Sequence, residues 1–139
     1  MQGRTGLPRW IVAVASLALA LAVTLSLRAS AAAAAPQVAR VWHGRTTNAK
    51  ADEYAKYLAD AIKKFRTIPG NLGYEMGRET IGDETHFTVV SYWASRDAIH
   101  AYAGADIQKT RALPRDAEFL VDPEPTVKNY DLVVRDLAK

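Results

Sequence analysis

The chain has no cysteine. This excludes a disulfide framework, a thiol nucleophile, a thiolate metal site and a lipid-bearing N-terminal cysteine. Histidine is scarce as well, at positions 43, 86 and 100 only, and those positions have no metal-ligand spacing. There is no G-x-S-x-G elbow, no G-x-G-x-x-G and no phosphate-binding lysine loop, so the serine-elbow and nucleotide-loop chemistries are set aside. No acidic residue precedes Asp52.

That last absence marks off the N-terminal segment. Arg4 and Arg9 lead into an uncharged run from Ile11 to Leu27, followed by Arg28 and a string of alanines. Basic, then apolar, then small is the order of an export signal, with cleavage expected among Ala29 to Ala35. The predicted location is therefore periplasmic or secreted. The alternative is an uncleaved inner-membrane anchor over residues 10–27, because the run is near the lower limit for spanning a bilayer. The absence of an Arg-Arg pair ahead of the run points to export as an unfolded chain carrying no cofactor. Beyond position 36 there are fifteen basic and fifteen acidic residues. The high pI thus belongs to the leader, and nothing implies a nucleic-acid partner; contact with a membrane is expected only if the leader is retained. Residues 36–139 make one domain with a modest core, which oligomerisation would enlarge.

Within that domain Val38 to Arg45 alternates as a strand. From Asn48 to Arg66, Tyr54, Leu58, Ile62 and Phe65 recur at helical spacing, with Tyr57 and Ala61 beside them. Asn48 is the expected cap, and Asp52 with Lys56 and Asp60 with Lys64 are expected i,i+4 pairs. Pro69-Gly70 ends the helix. Leu72 to Thr80 reads as a strand with Tyr74, Met76 and Arg78 on one face. A turn at 81–84 leads to the strongest strand, His86 to Trp93, completing a hairpin. Ser95 is placed to cap a short helix over 96–103, with Asp97 in its first turn. Asp106 to Ala112 is a candidate second helical turn, and Thr126 to Val134 the last strand. The order β-α-β-β-α-β predicts an α+β, ferredoxin-like fold, with four antiparallel strands and helices on one face. The bare face needs cover, which a second copy laid sheet to sheet would supply as a homodimer.

Several stretches carry a resemblance in combination: ARVWHGRT (39–46), IPGNLGYE (68–75), the run from His86 to Asp106 with its Tyr-Trp-x-Ser-x-x-Ala-Ile pattern, and FLVDPEPTVKNYDLVV (119–134). From Ala39 to Val134 the chain resembles the antibiotic biosynthesis monooxygenase group of dimeric α/β barrels. The resemblance implies a dimer with a pocket between helices and sheet for an electron-rich aromatic, such as a polyphenol, a quinol or haem. It also implies chemistry without metal or flavin, in which the substrate itself activates O₂. The residues that fit are Trp93, Tyr102, Trp42, Tyr74 and His43, with Arg78 as an anion partner. In haem-degrading members an aromatic on the second helix precedes an iron-ligating histidine by about ten residues. Tyr102 fills the first place here, but Thr110 and Arg111 fill the second, and haem cleavage by that route is not expected. Asn129 stands where the last strand of this branch usually has histidine.

The expected catalytic set is therefore His43, Tyr74, Trp93 and Asn129, and the expected substrate-binding set Trp42, Arg78 and Tyr102, with no cofactor and no metal. Each has a plainer reading. Trp93 shares a strand phase with Phe87, Val89 and Ser91, so packing alone accounts for it. Trp42 is in phase with Val38 and Arg40, and His43 with Ala39 and Val41. One of Trp42 and His43 faces the helices and the other the dimer side, and the register is needed to say which. A neutral-range imidazole such as His43 suits a general base, although a lone strand histidine is more often structural. His100 falls on the polar side of its helix and is expected to be solvated, whereas Tyr102 points inward, where its hydroxyl needs a partner. Two functions fit: a cofactor-independent monooxygenase on a small aromatic or quinol, or a non-catalytic dimer holding a small apolar ligand. A dimer whose pocket has closed is the third reading.

Overall fold

The structure, a computed structural model, describes residues 35–137. The expected export leader lies outside these residues. Among the described residues no helix is long and apolar enough to cross a membrane.

Four strands form one antiparallel sheet in the order β2-β3-β1-β4. β1 spans Val38–Thr47, β2 Asn71–Ile81, β3 Glu84–Trp93 and β4 Lys128–Asp131. Helix α1 (Ala51–Ile62) connects β1 to β2, and α2 (Arg96–Ala103) follows β3. A short helix α3 (Asp116–Phe119) lies in the long connection to β4. This is the α+β ferredoxin-like arrangement.

Strand alternation decides what each face is for. On β3, Thr85, Phe87, Val89, Ser91 and Trp93 are buried while their neighbours are half-exposed. The register sets Trp42 opposite Val89 and Arg40 opposite Ser91, so the even positions of β1 share the buried face. Tyr54, Leu58, Ile62 and Phe65 pack onto that face with Phe87, Val89 and Phe119. Val38, Trp93 and Ile99 form a second cluster under α2. Each of Leu58, Ile62 and Ile99 contributes about 1.5–3 kcal/mol by leaving water. Gly70 brings the turn before β2 against α2. It has φ +82°, and a Cβ there would meet that of Ala98 at 2.5 Å.

The structure differs locally from what the sequence suggests. The α1 region is 3₁₀ at both ends, over Asn48–Lys50 and Lys63–Thr67. Asn48 does not cap α1: its amide donates to the Gly82 carbonyl at 3.0 Å and its Oδ1 accepts from the Thr85 hydroxyl at 2.9 Å, fastening the helix start to the β2–β3 turn. Asp52 accepts from Arg78 at 2.6 Å and Asp60 from Lys63 at 2.6 Å, so neither i,i+4 pair forms. Residues 106–112 form no helix. The Ile107 and Lys109 carbonyls are taken by Arg40, and Lys109 bridges to Thr126. β4 stops at Asp131, opposite Val38 where β1 begins, leaving Val133 and Val134 without a partner strand and exposed. The cap on α2 is as expected, with Ser95 Oγ accepting from Ala98 N at 3.1 Å.

Candidate functional site

A cleft opens on the helix side of the sheet, between β1, α1 and the segment leading into α3. Trp42, Tyr54, Phe65 and Tyr102 supply its rings, and Leu58, Ile62, Val89 and Val127 its aliphatic wall. Arg40, Lys64, Arg111, Asp116 and Ser91 supply its polar groups. It is narrow, with a volume of about 520 Å³ when its open mouth is counted. Lys64 and Arg111 stand exposed at its mouth, and the Arg111 guanidinium donates to the Tyr102 carbonyl at 2.7 Å.

The wall is built of interlocked aromatics. Tyr102 meets Phe65 edge to face at 4.8 Å between centroids and stacks on Trp93 at 6.3 Å and 27°. Trp93 is fully buried behind them, and its indole N–H donates to Ser91 Oγ at 2.9 Å. On β1, Gly44 lets the Trp42 indole lie back against the strand, because a Cβ there would stand 2.4 Å from the ring edge.

Arg40 is the most unusual side chain of the site. It is 4% exposed, yet its guanidinium donates to the carbonyls of Ile107 and Lys109 and to Asn129 Oδ1, none of them charged. Burial pushes its pKa below the usual arginine range, while the charges of Tyr102 and Asp106 act the other way. Asp116, also buried, accepts from the Tyr54 hydroxyl at 3.0 Å and from the Leu113 N–H at 2.7 Å. A carboxylate accepting two bonds keeps lone pairs for a third. Burial raises the Tyr102 phenol, and the Arg40 and Arg111 charges partly offset that rise. Among the described residues nothing hydrogen-bonds its hydroxyl.

The residues expected from the sequence do not all come together. Trp42 and Tyr102 line the cleft, with Trp93 directly behind Tyr102. Asn129 stands at its back edge, where its amide donates to the Ile107 carbonyl at 3.0 Å and helps Arg40 fix that loop. Tyr74 faces the helices but packs against Phe65 at 5.8 Å, outside the lining. Arg78 lies on the exposed half of β2 in its pair with Asp52. His43 is on the opposite face, out of phase with Trp42. Its Nδ1 is 2.7 Å from Glu124 and its Nε2 3.0 Å from His86 Nδ1. His100 is exposed, and its Nδ1 donates to the Gly104 carbonyl at 2.7 Å.

Arg40, Asp116, Tyr54, Lys64 and Arg111 line the site as well, although none of them belongs to the expected catalytic or substrate-binding sets. Arg40 carried a readable signal, a charge in phase with Val38 and Trp42 on a strand whose even positions go inward. Asp116 carried none, since its burial depends on α1 and α3 meeting.

No curated protein matches the chain. Among solved structures, a Nitrosomonas europaea protein of unknown function aligns at TM-score 0.55 and 18% identity, covering 77% of this chain and 99% of its own. A Bacillus cereus putative antibiotic biosynthesis monooxygenase aligns at TM-score 0.53 and 8% identity, covering 75% and 100%. A Streptomyces coelicolor monooxygenase, solved with nanaomycin D, aligns at TM-score 0.50 and 19% identity, covering 75% and 94%. At such identities these likenesses speak for the fold. The family model for antibiotic biosynthesis monooxygenases matches residues 39–110, just over half of the chain, and the protein therefore belongs to that family.

Proposed function

We propose that the protein is an exported, cofactor-independent monooxygenase acting on a small aromatic or quinol bound in this cleft. The observation that carries the reading is the meeting of Trp42 and Tyr102 with a buried cation, Arg40, and a buried carboxylate, Asp116, in one opening. A quinol ring laid against Tyr102 and Trp42 can donate a hydroxyl hydrogen bond to Asp116. As its second hydroxyl loses a proton, Arg40 and Arg111 favour the resulting anion. The ring supplies all four electrons: one atom of O₂ enters a C–H bond, the other leaves as water, and the quinol becomes a hydroxyquinone. The similar Streptomyces coelicolor protein, a monooxygenase holding nanaomycin D, supports a ring-binding role for the cleft. Export is supported by the basic, apolar and small-residue order of the first 35 positions. A homodimer through the bare sheet face is supported by the half-exposed Val41, Val90 and Tyr92 and the 55% exposed Tyr130 there.

The second reading, a non-catalytic module holding a small apolar ligand, is favoured by the narrowness of the cleft and by the placement of His43 away from it. Oxygen uptake by the full chain in mild non-ionic detergent, with chelator, across naphthoquinols and hydroxyanthrones separates the two. Saturable uptake that falls at least about tenfold in Trp42→Phe or Asp116→Asn, a loss of the size one transition-state contact supplies, fits an enzyme. Uptake no faster than buffer autoxidation, from protein shown to be folded, leaves the binding module.

A further inference from the structure

The charges around the cleft do not balance. Three cations stand over the Tyr102 ring, with the Arg40 guanidinium at 5.9 Å, the Lys64 ammonium at 6.0 Å and the Arg111 guanidinium at 5.5 Å from its centroid. All three line the opening, and Asp116 is the one acid that does so among the described residues. Asp116 sets a single negative charge against these three positive ones, and the bonds it accepts from Tyr54 and Leu113 tie it to the far wall. Asp106, the other acid acting on Arg40, is exposed and stands outside the lining, where its Oδ1 accepts from the Gln108 N–H at 2.9 Å. A buried charge is costly unless something of opposite sign compensates it, and Arg40 has only neutral oxygens.

We infer that the cleft is built for an aromatic carboxylic acid, the ring lying against Tyr102 and Trp42 and the carboxylate meeting Arg40 and Arg111. This rests on the cleft being the ligand site proposed above. Of the five N–H donors of an arginine, Arg40 uses three on Ile107, Lys109 and Asn129, leaving two for a ligand oxygen. Arginine and carboxylate match in geometry as well as charge. Lys64 and Arg111, both exposed, add attraction at the mouth and close over the bound ring. The apolar wall rejects a bare inorganic anion, which would lose its hydration with nothing to cover it. The substrate of the proposed oxidation is accordingly a hydroxylated aromatic acid of one or two rings.

Equilibrium dialysis of the full chain in non-ionic detergent against 2-naphthoate and its neutral isostere 2-naphthamide tests this without any turnover. The expected result is naphthoate bound at least about tenfold more tightly, the size of one charge-assisted contact. That preference should fall at least about threefold in the Lys64→Gln/Arg111→Gln double variant, whose changes lie on the exposed rim, and at high salt. Equal affinities in the wild type, or a preference untouched by the double variant, would overturn the carboxylate inference while leaving an aromatic cleft. Binding of neither ligand would overturn the inference and the cleft reading together.

Discussion

The Tyr54 hydroxyl donates to the Asp116 carboxylate at 3.0 Å across 62 residues of sequence, with both side chains buried. This bond ties α1 to α3 and fixes the floor on which the cleft rings stand. Tyr54 also meets Phe87 edge to face at 5.3 Å and Phe119 at 5.2 Å, so the hydroxyl is held by packing as well as by its acceptor.

Tyr54→Phe keeps the ring and strips the donor, leaving a buried carboxylate oxygen unpaired. The expected cost is about 1.5–3 kcal/mol, and each kcal/mol lowers Tm by about 4–8 °C in a domain of this size. Burial, and then the adjacent Asp116 charge, hold the Tyr54 phenol well above its ordinary range. A phenol raised in the fold contributes stability that is complete below its unfolded value near 10 and is lost as pH climbs beyond that. Thermal unfolding as a function of pH should therefore be flat for this group up to about pH 10 and then fall more steeply in wild type than in Tyr54→Phe. Parallel curves would remove the linkage.

Gly44→Ala places a methyl where the Trp42 indole lies, 2.4 Å from its nearest atom. Overpacking of this kind costs about 1–3 kcal/mol, and the relief available is rotation of the indole. The measurement is made in a Trp10→Phe background, where the fully buried Trp93 adds a constant emission and the change reports Trp42. The expected outcome is a red shift together with weaker binding of aromatic ligands; an unshifted spectrum would mean that the ring and the strand accommodate the methyl in place.

His43→Ala and Tyr102→Phe separate the two faces of the sheet. His43 pairs with Glu124 and His86, far in the fold from the ring wall, so its loss should leave ligand affinity within about twofold, the usual scatter for a surface change. Tyr102→Phe removes a hydroxyl that has no hydrogen-bond partner among the described residues and should weaken a phenolic ligand about fivefold or more, as one neutral hydrogen bond does. Titration of both variants with one naphthoquinol under anaerobic conditions gives the comparison, and the reverse order would move the site to the other face.

Arg40→Lys keeps the charge and loses the fork. One ammonium cannot replace bonds to Ile107, Lys109 and Asn129 together, so the 107–109 loop should loosen at a cost of about 1–3 kcal/mol. Amide exchange would report it at Val127, whose N–H donates to the Gln108 carbonyl at 2.8 Å. Protection at Val127 equal to wild type would show that the loop is held by β4 alone.

Much of this was open to reading from the sequence, for physical reasons that also explain the gaps. Tyr54, Leu58, Ile62 and Phe65 recur at helical spacing because one face of α1 meets the sheet, and all four are buried. Phe87, Val89, Ser91 and Trp93 alternate because β3 has one covered face. The choice between Trp42 and His43 stayed open because it is a property of register: Trp42 sits opposite Val89, and only that pairing turns its ring toward α1. Asn48 looked like a cap by position, but tertiary partners at Gly82 and Thr85 outbid the helix for its amide. The loop 106–112 has the local composition of a helical turn, and what prevents one is Arg40, 67 residues away from Ile107. Asp116 lies in the long connection to β4, and it becomes part of the site only because Tyr54 reaches it.

The most direct test of cofactor-free oxidation in this cleft is the fate of isotopic oxygen. The full chain, freed of metal, is given ¹⁸O₂ and a naphthoquinol or its carboxylic acid derivative, and the product is weighed by mass spectrometry beside Asp116→Asn. One ¹⁸O atom in a hydroxyquinone, formed faster than in protein-free buffer and suppressed in the variant, is the predicted result. Product formed no faster than in buffer, or formed equally by the variant, would contradict it.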